Sequence, residues 1–213
     1  MKNANFEREL PSAYRQALYI NAKNTKFGFI MNVAAILITA LTVALAVIPI
    51  SGKIVWSKTL LESKTLLAYL VFLASMVLYV VLHELVHGLA YLILTKEVPT
   101  FGISFTCAFC GVPGIYTYRK AALIAITAPF AVFTLIFGGL TAYLYFVNPF
   151  YYLLSAIMLG LHLGGCIGDI YLTLLMLFRY KNPKTLMRDT GAEQYIFVPE
   201  ESVNYTRKIG NNT

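Results

Sequence analysis

A chain of 213 residues that is 58% hydrophobic and only 13% charged has too little polar surface to wet an ordinary soluble domain, which leaves a bilayer as its natural solvent. Its formal net charge of +7 comes without any aromatic-and-basic motif for nucleic acid. The charge therefore reads as topology and attraction to anionic lipid, and no nucleic-acid partner is expected.

Residues 1–26 make a polar leader. Leu10, Tyr14, Ala17 and Leu18 share one helical face among basic residues, a pattern that predicts a short helix lying on the membrane surface. At about 1.5 Å of rise per residue, a hydrocarbon core of about 30 Å takes roughly 20 mostly apolar residues. Four segments within 27–178 meet that length: Phe27–Ile50, Leu66–Leu94, Ala121–Val147 and Phe150–Phe178. The first follows a polar leader rather than a small-residue cleavage site, so it reads as a retained anchor. Between the second and third spans, Gly102–Cys107 alternates apolar and polar residues before the turn-forming Cys110–Gly114, and Ile115–Tyr118 is placed to return as a second strand. Such a hairpin is either a connector or an edge for an extended substrate segment. Residues 179–213 form a polar tail with one apolar run, Tyr195–Val198, readable as a strand packed on that loop or as unstructured chain. The expected fold class is an all-α membrane protein of four transmembrane helices, with a short β-hairpin in its cytoplasmic loop.

Orientation follows from the positive charges, because cytoplasmic segments near spanning helices are enriched in them. All but three of the 17 lysines and arginines fall in the leader (Lys2, Arg8, Arg15, Lys23, Lys26), the middle loop (Lys96, Arg119, Lys120) and the tail (Arg179, Lys181, Lys184, Arg188, Arg207, Lys208). Lys53, Lys58 and Lys64 remain for the first external loop, and the second, around Asn148 and Pro149, has none. This predicts a multi-pass protein of the cell membrane with both termini cytoplasmic.

The chemistry lies in the spans. All three histidines, His83, His87 and His162, sit there, and of the ten acids only Glu84 and Asp169 do. An unpartnered acid at mid-helix costs about 2.5–3.5 kcal/mol on insertion scales, so partners are expected. His83-Glu84-Leu85-Val86-His87 spells H-E-x-x-H, whose four-residue spacing puts both imidazoles on one helical face, a turn apart, where two nitrogens can meet one zinc ion. Glu84 is set off to the side, placed to accept a proton from water rather than to ligate. Catalytic zinc usually takes three protein ligands. Counted back by helical rise from Arg179, Asp169 lies about 15 Å deep, while His87 and His83, counted from Thr95, lie about 12 and 18 Å deep. Asp169 is therefore the expected third ligand. His162 falls about 10 Å further out by the same rise, too far to share the ion, and reads as a hydrogen-bonded interior histidine. Cys166, one turn before Asp169, stays open as an alternative ligand. Cys107 and Cys110 form a single C-x-x-C without the second pair a zinc ribbon needs, and no chemistry is assigned to them. Gly164, Gly165 and Gly168 would let helices approach closely in lipid.

The His83–Gly88 run, the later Gly168-Asp169 and the intervening Cys107, Cys110 and Pro113 resemble the bacterial zincin peptidases, and more distantly the architecture is similar to the site-2 proteases. The resemblance covers about residues 66–178. It implies an intramembrane zinc peptidase whose ligands are two histidines and an aspartate. Site-2 proteases carry that aspartate in a segment ending Leu-Asp-Gly, whereas Asp169 precedes Ile170. The expected function is a zinc-dependent endopeptidase with Glu84 as general base and His83, His87 and Asp169 as ligands, cutting membrane or membrane-adjacent protein segments near the cytoplasmic face. The competing expectation is a metal- or haem-binding membrane protein, or a transporter, built on His83, His87 and His162.

Overall fold

The computed structural model describes residues 5–22, 24–52, 63–104 and 108–200. The loop with Lys53 and Lys58 that is expected to be external, Cys107, and the tail beyond residue 200 lie outside the described residues. Five α-helices are described: α1 (Thr25–Val47), extended by a 3-10 turn to Ile50, α2 (Ser63–Thr95), α3 (Arg119–Val147), α4 (Pro149–Gly165) and α5 (Ile167–Leu174), which runs on into a π-turn at Leu175–Arg179. The first three are long and apolar enough to cross a membrane, and α4 with the segment Ile167–Arg179 passes the same test as a pair bent by 42°. Their outer faces are apolar and bare: Val77 is 69% exposed, Leu135 77% and Phe146 85%. Such surface suggests lipid as solvent.

The all-α expectation is corrected by seven strands. They are β1 (Phe6–Glu7), β2 (Tyr14–Asn21), β3 (Thr100–Ile103), β4 (Ala108–Gly111), β5 (Tyr116–Tyr118), β6 (Leu186–Asp189) and β7 (Glu193–Pro199). Five of them form one sheet in the order β1-β5-β6-β7-β2, and β3-β4 stand as a separate antiparallel pair. The leader is a strand, not a surface helix. β2 pairs antiparallel with β7 from Tyr14↔Pro199 to Asn21↔Glu193, and the register shifts between Gln16 and Leu18. That irregularity breaks the two-residue alternation, which is why the leader's pattern mimics a helix. The hairpin also differs from expectation. β3 turns back onto β4, pairing Thr100 with Gly111, whereas β5 joins β1 and β6 in the larger sheet. The apolar run Tyr195–Val198 lies inside β7, so the tail is a strand there.

The chain divides into two compact units, with the divisions falling inside α1, α2, α3 and α5. The unit of Met1–Gly28, Glu84–Ala128 and Ile170–Thr213 holds all the strands. Its core gathers Ile20, Tyr91, Val112, Ile115, Ala125, Met176, Met187 and Ile196. Arg119 donates its Nε hydrogen to the Met176 carbonyl at 2.9 Å, satisfying an acceptor within the π-turn.

The unit of Phe29–His83 and Pro129–Asp169 is helical. Asn148 caps α4, its Oδ1 accepting from the Phe150 and Tyr151 amides, and Pro149 takes the first turn, where its missing N–H costs nothing. Glycines let α1 and α4 touch. A Cβ at Gly164 would stand 2.5 Å from the Ala35 carbonyl oxygen, and Thr39 Oγ1 bonds the Gly160 carbonyl at 3.0 Å.

Candidate metal centre

Tyr79, His83, His87, Tyr91 and Thr95 recur every fourth residue along α2 and are all buried. Val77, Val81, Leu85, Leu89 and Ile93, half a turn away, are all exposed. Four-residue spacing stacks the first set on one face, so a single polar stripe looks inward from an otherwise apolar helix. Glu84, about 100° round the helix from His83, is half-buried.

The stripe meets specific partners. His83 Nε2 lies 3.3 Å from Asp169 Oδ2, in the first turn of α5. His87 Nδ1 bonds the Ala125 carbonyl at 2.9 Å. A carbonyl only accepts, so Nδ1 carries the hydrogen and the neutral ring presents Nε2 as a lone pair. Pro129 explains why that carbonyl is on offer: it lies inside α3 and has no N–H to give to the residue four before it, Ala125. Because α2 runs unbroken through His83 and His87, one turn of helix fixes their separation. The ligand atoms of His83, His87 and Asp169 all lie within 4.8 Å of one another. Two imidazoles and a carboxylate at that spacing match the donor set and the three-ligand count of a catalytic zinc site, with a backbone carbonyl orienting one of the rings.

His162 is fully buried, its ring centroid 6.4 Å from that of His83, and it stays outside the group of His83, His87 and Asp169. Its environment matches the expectation of a hydrogen-bonded interior histidine. Nδ1 is 2.8 Å from the Tyr79 hydroxyl, which also lies 3.1 Å from His83 Nδ1, and Nε2 is 3.0 Å from Thr134 Oγ1. Cys166 Sγ is 3.6 Å from His162 Nδ1 and groups with His83 and His162 rather than with His87 and Asp169. That second group already has the Tyr79 hydroxyl bonded to both of its imidazoles.

Two residues escaped sequence reading, Tyr91 and Asp189. The Tyr91 hydroxyl, one turn beyond His87, donates to Asp189 Oδ2 at 2.7 Å, while Asp189 Oδ1 accepts from the Gly191 amide at 2.9 Å. The polar stripe of α2 was the available signal for Tyr91. Asp189 gave none, since its strand pairing is far from the motif in sequence. Burial pushes the Asp189 carboxyl up to about 6, against the opposing pull of the Tyr91 hydroxyl and the Gly191 amide. Burial, with Asp189 and Glu84 adding negative potential, likewise lifts the Cys110 thiol to about 12, which keeps it protonated. Beside His87, the Phe101 ring of β3 rests on Gly88, where a Cβ would come within 2.6 Å of it. Among the described residues β3 pairs only with β4, and its Ile103 is 87% exposed.

A family model described as "Putative zincin peptidase" matches residues 76–184, a stretch that contains the whole polar stripe, His162, Cys166 and Asp169. The chain belongs to that family. No curated protein and no solved structure matches it.

Proposed function

We propose that this zincin-family member is a zinc-dependent endopeptidase that cuts membrane or membrane-adjacent protein segments near the cytoplasmic face. The observation that carries the reading is the convergence of His83, His87 and Asp169 donor atoms, within 4.8 Å of one another, beside the half-buried Glu84. His83 and His87 would hold zinc through Nε2 and Asp169 through a carboxylate oxygen. When bound, the ion would polarise the scissile carbonyl and make attack by water feasible near neutral pH. Glu84 takes the proton from the attacking water and returns it to the departing amine nitrogen as the peptide C–N bond breaks. The Ala125 carbonyl keeps the His87 ring from turning away.

The cytoplasmic placement is supported by the larger sheet, which joins strands from the leader, the middle loop and the tail, the segments that together hold 14 of the 17 lysines and arginines. The exposed edge of β3, seated on the residue after His87, supports an extended substrate segment added as a neighbouring strand.

Elemental analysis of the purified protein tests the reading. It predicts about one zinc per chain, lost in the His83→Ala/His87→Ala double variant, weakened in Asp169→Ala and retained in Cys166→Ser. Full zinc in the double variant would remove the site, and coloured protein with a haem spectrum would favour the cofactor-binding alternative.

A further inference from the structure

We propose that Tyr79 and His162 are positioning residues, acting through a hydrogen-bond chain that sets which nitrogen of His83 faces the metal. This rests on the zinc reading above. The chain runs from α3 through His162 and Tyr79 to His83, with contacts of 3.0, 2.8 and 3.1 Å between Thr134 Oγ1, His162 Nε2, His162 Nδ1, the Tyr79 hydroxyl and His83 Nδ1. A hydroxyl between two imidazole nitrogens can donate to either, so the Tyr79 contacts alone permit two opposite directions.

The metal end of the chain chooses between them. A ligand nitrogen must offer a lone pair, and His83 Nε2 is the nitrogen 3.3 Å from Asp169 Oδ2, so the His83 hydrogen sits on Nδ1. The Tyr79 oxygen accepts it and has its own hydrogen left for His162 Nδ1, so Nε2, on the Thr134 side of the ring, carries the His162 hydrogen. The neutral ring then has an acceptor at Nδ1, where both the Tyr79 hydroxyl and the Cys166 thiol are placed to donate. Having given its hydrogen to His162, the Tyr79 oxygen accepts from His83 Nδ1–H. His83 is left with its lone pair on Nε2, 3.3 Å from Asp169 Oδ2 and facing the proposed ion. Tyr79 and His162 thus do for His83 what the Ala125 carbonyl does for His87. Reversing the chain would put a hydrogen on the nitrogen that must bind the metal.

Zinc affinity by chelator competition on the purified full-length protein tests this. Tyr79→Phe and His162→Ala should each weaken binding about 10- to 100-fold, the usual range for groups that orient a ligand, whereas His162→Asn, whose Oδ1 stands near the lost Nδ1 and can accept from Tyr79, should stay within about threefold of wild type. A histidine that merely filled space would not be rescued by asparagine. In wild-type protein carrying 15N-histidine, His162 should be protonated on Nε2 and His83 on Nδ1, a readout that needs no variant to fold. Wild-type affinity in both Tyr79→Phe and His162→Ala, or His162 protonated on Nδ1, would overturn the proposal. His87→Ala is the control for the reading beneath it: zinc undiminished by that change contradicts the metal site itself, while the His162 tautomer still decides the direction of the chain.

Discussion

Asp189→Asn separates the electrostatic cost of one buried acid from its hydrogen bonds. In an unfolded chain this carboxyl titrates near 3.8, and burial raises it to about 6 in the fold, so the folded state holds the proton more tightly. The stability contributed by the neutral form is fully present below about 3.8 and is lost as pH rises through about 6. A shift of about two pH units at 1.36 kcal/mol each makes that loss about 3 kcal/mol. Asparagine does not titrate. It keeps one acceptor for the Gly191 amide or the Tyr91 hydroxyl and gives up the other, at a cost of about 1 kcal/mol. The variant should therefore be about 1 kcal/mol less stable than wild type at pH 3 and about 2 kcal/mol more stable at pH 8. For a chain of this size 1 kcal/mol moves the melting point by about 2–4 °C, so the gap between the two proteins should swing by about 6–12 °C across that range. Thermal unfolding of both metal-free proteins in one detergent at the two pH values reads the swing. Parallel pH profiles would refute the reasoning, because they would mean that folding does not change the proton affinity of Asp189.

Two further substitutions probe helix contacts. Gly164→Leu should lower stability by about 1–3 kcal/mol, since the new Cβ meets the Ala35 backbone of α1, whereas Gly138→Ala, with nothing within 4 Å of its Cβ, should be neutral or stabilising; thermal melts compare them directly. Pro129→Ala returns an N–H that competes with His87 for the Ala125 carbonyl, so the variant should melt higher yet bind zinc several-fold more weakly in chelator competition. Unchanged zinc affinity would argue that the freed carbonyl does not orient His87.

The sequence was most informative where structure is local. Helical spacing alone put His83 and His87 on one buried face, and rise along two helices matched Asp169 to their depth, as its 3.3 Å approach to His83 reflects. The same count set His162 apart from the group of His83, His87 and Asp169, but the helix break at Cys166, which no proline announces, was not legible. Asn148 and Pro149, read in the sequence only as a short loop between spans, serve as the cap and first residue of α4. The sheet was not legible. β2 finds its partner in β7, at the opposite end of the chain, and the register shift near Ala17 hides the alternation that would have marked it as a strand. Asp189 was hidden for the same reason, since only the pairing of β6 between β5 and β7 brings the tail to Tyr91. Pro129 was visible as a residue, but its effect on the Ala125 carbonyl has meaning only once His87 is known to reach it.

The central claim is that this family member is a working zinc peptidase, and Glu84→Gln tests it most directly. The amide keeps the side chain's size and polarity but cannot accept a proton, so the account predicts that zinc is retained at wild-type stoichiometry while turnover falls by orders of magnitude. The measurement is a quantitative comparison of membrane-protein fragments in cells carrying wild type or Glu84→Gln, with zinc determined on both purified proteins. Uncleaved substrate should accumulate, and specific fragments should vanish, only in the variant. Identical fragment profiles across growth conditions, with zinc retained in both, would contradict the peptidase account and leave a structural metal site in its place.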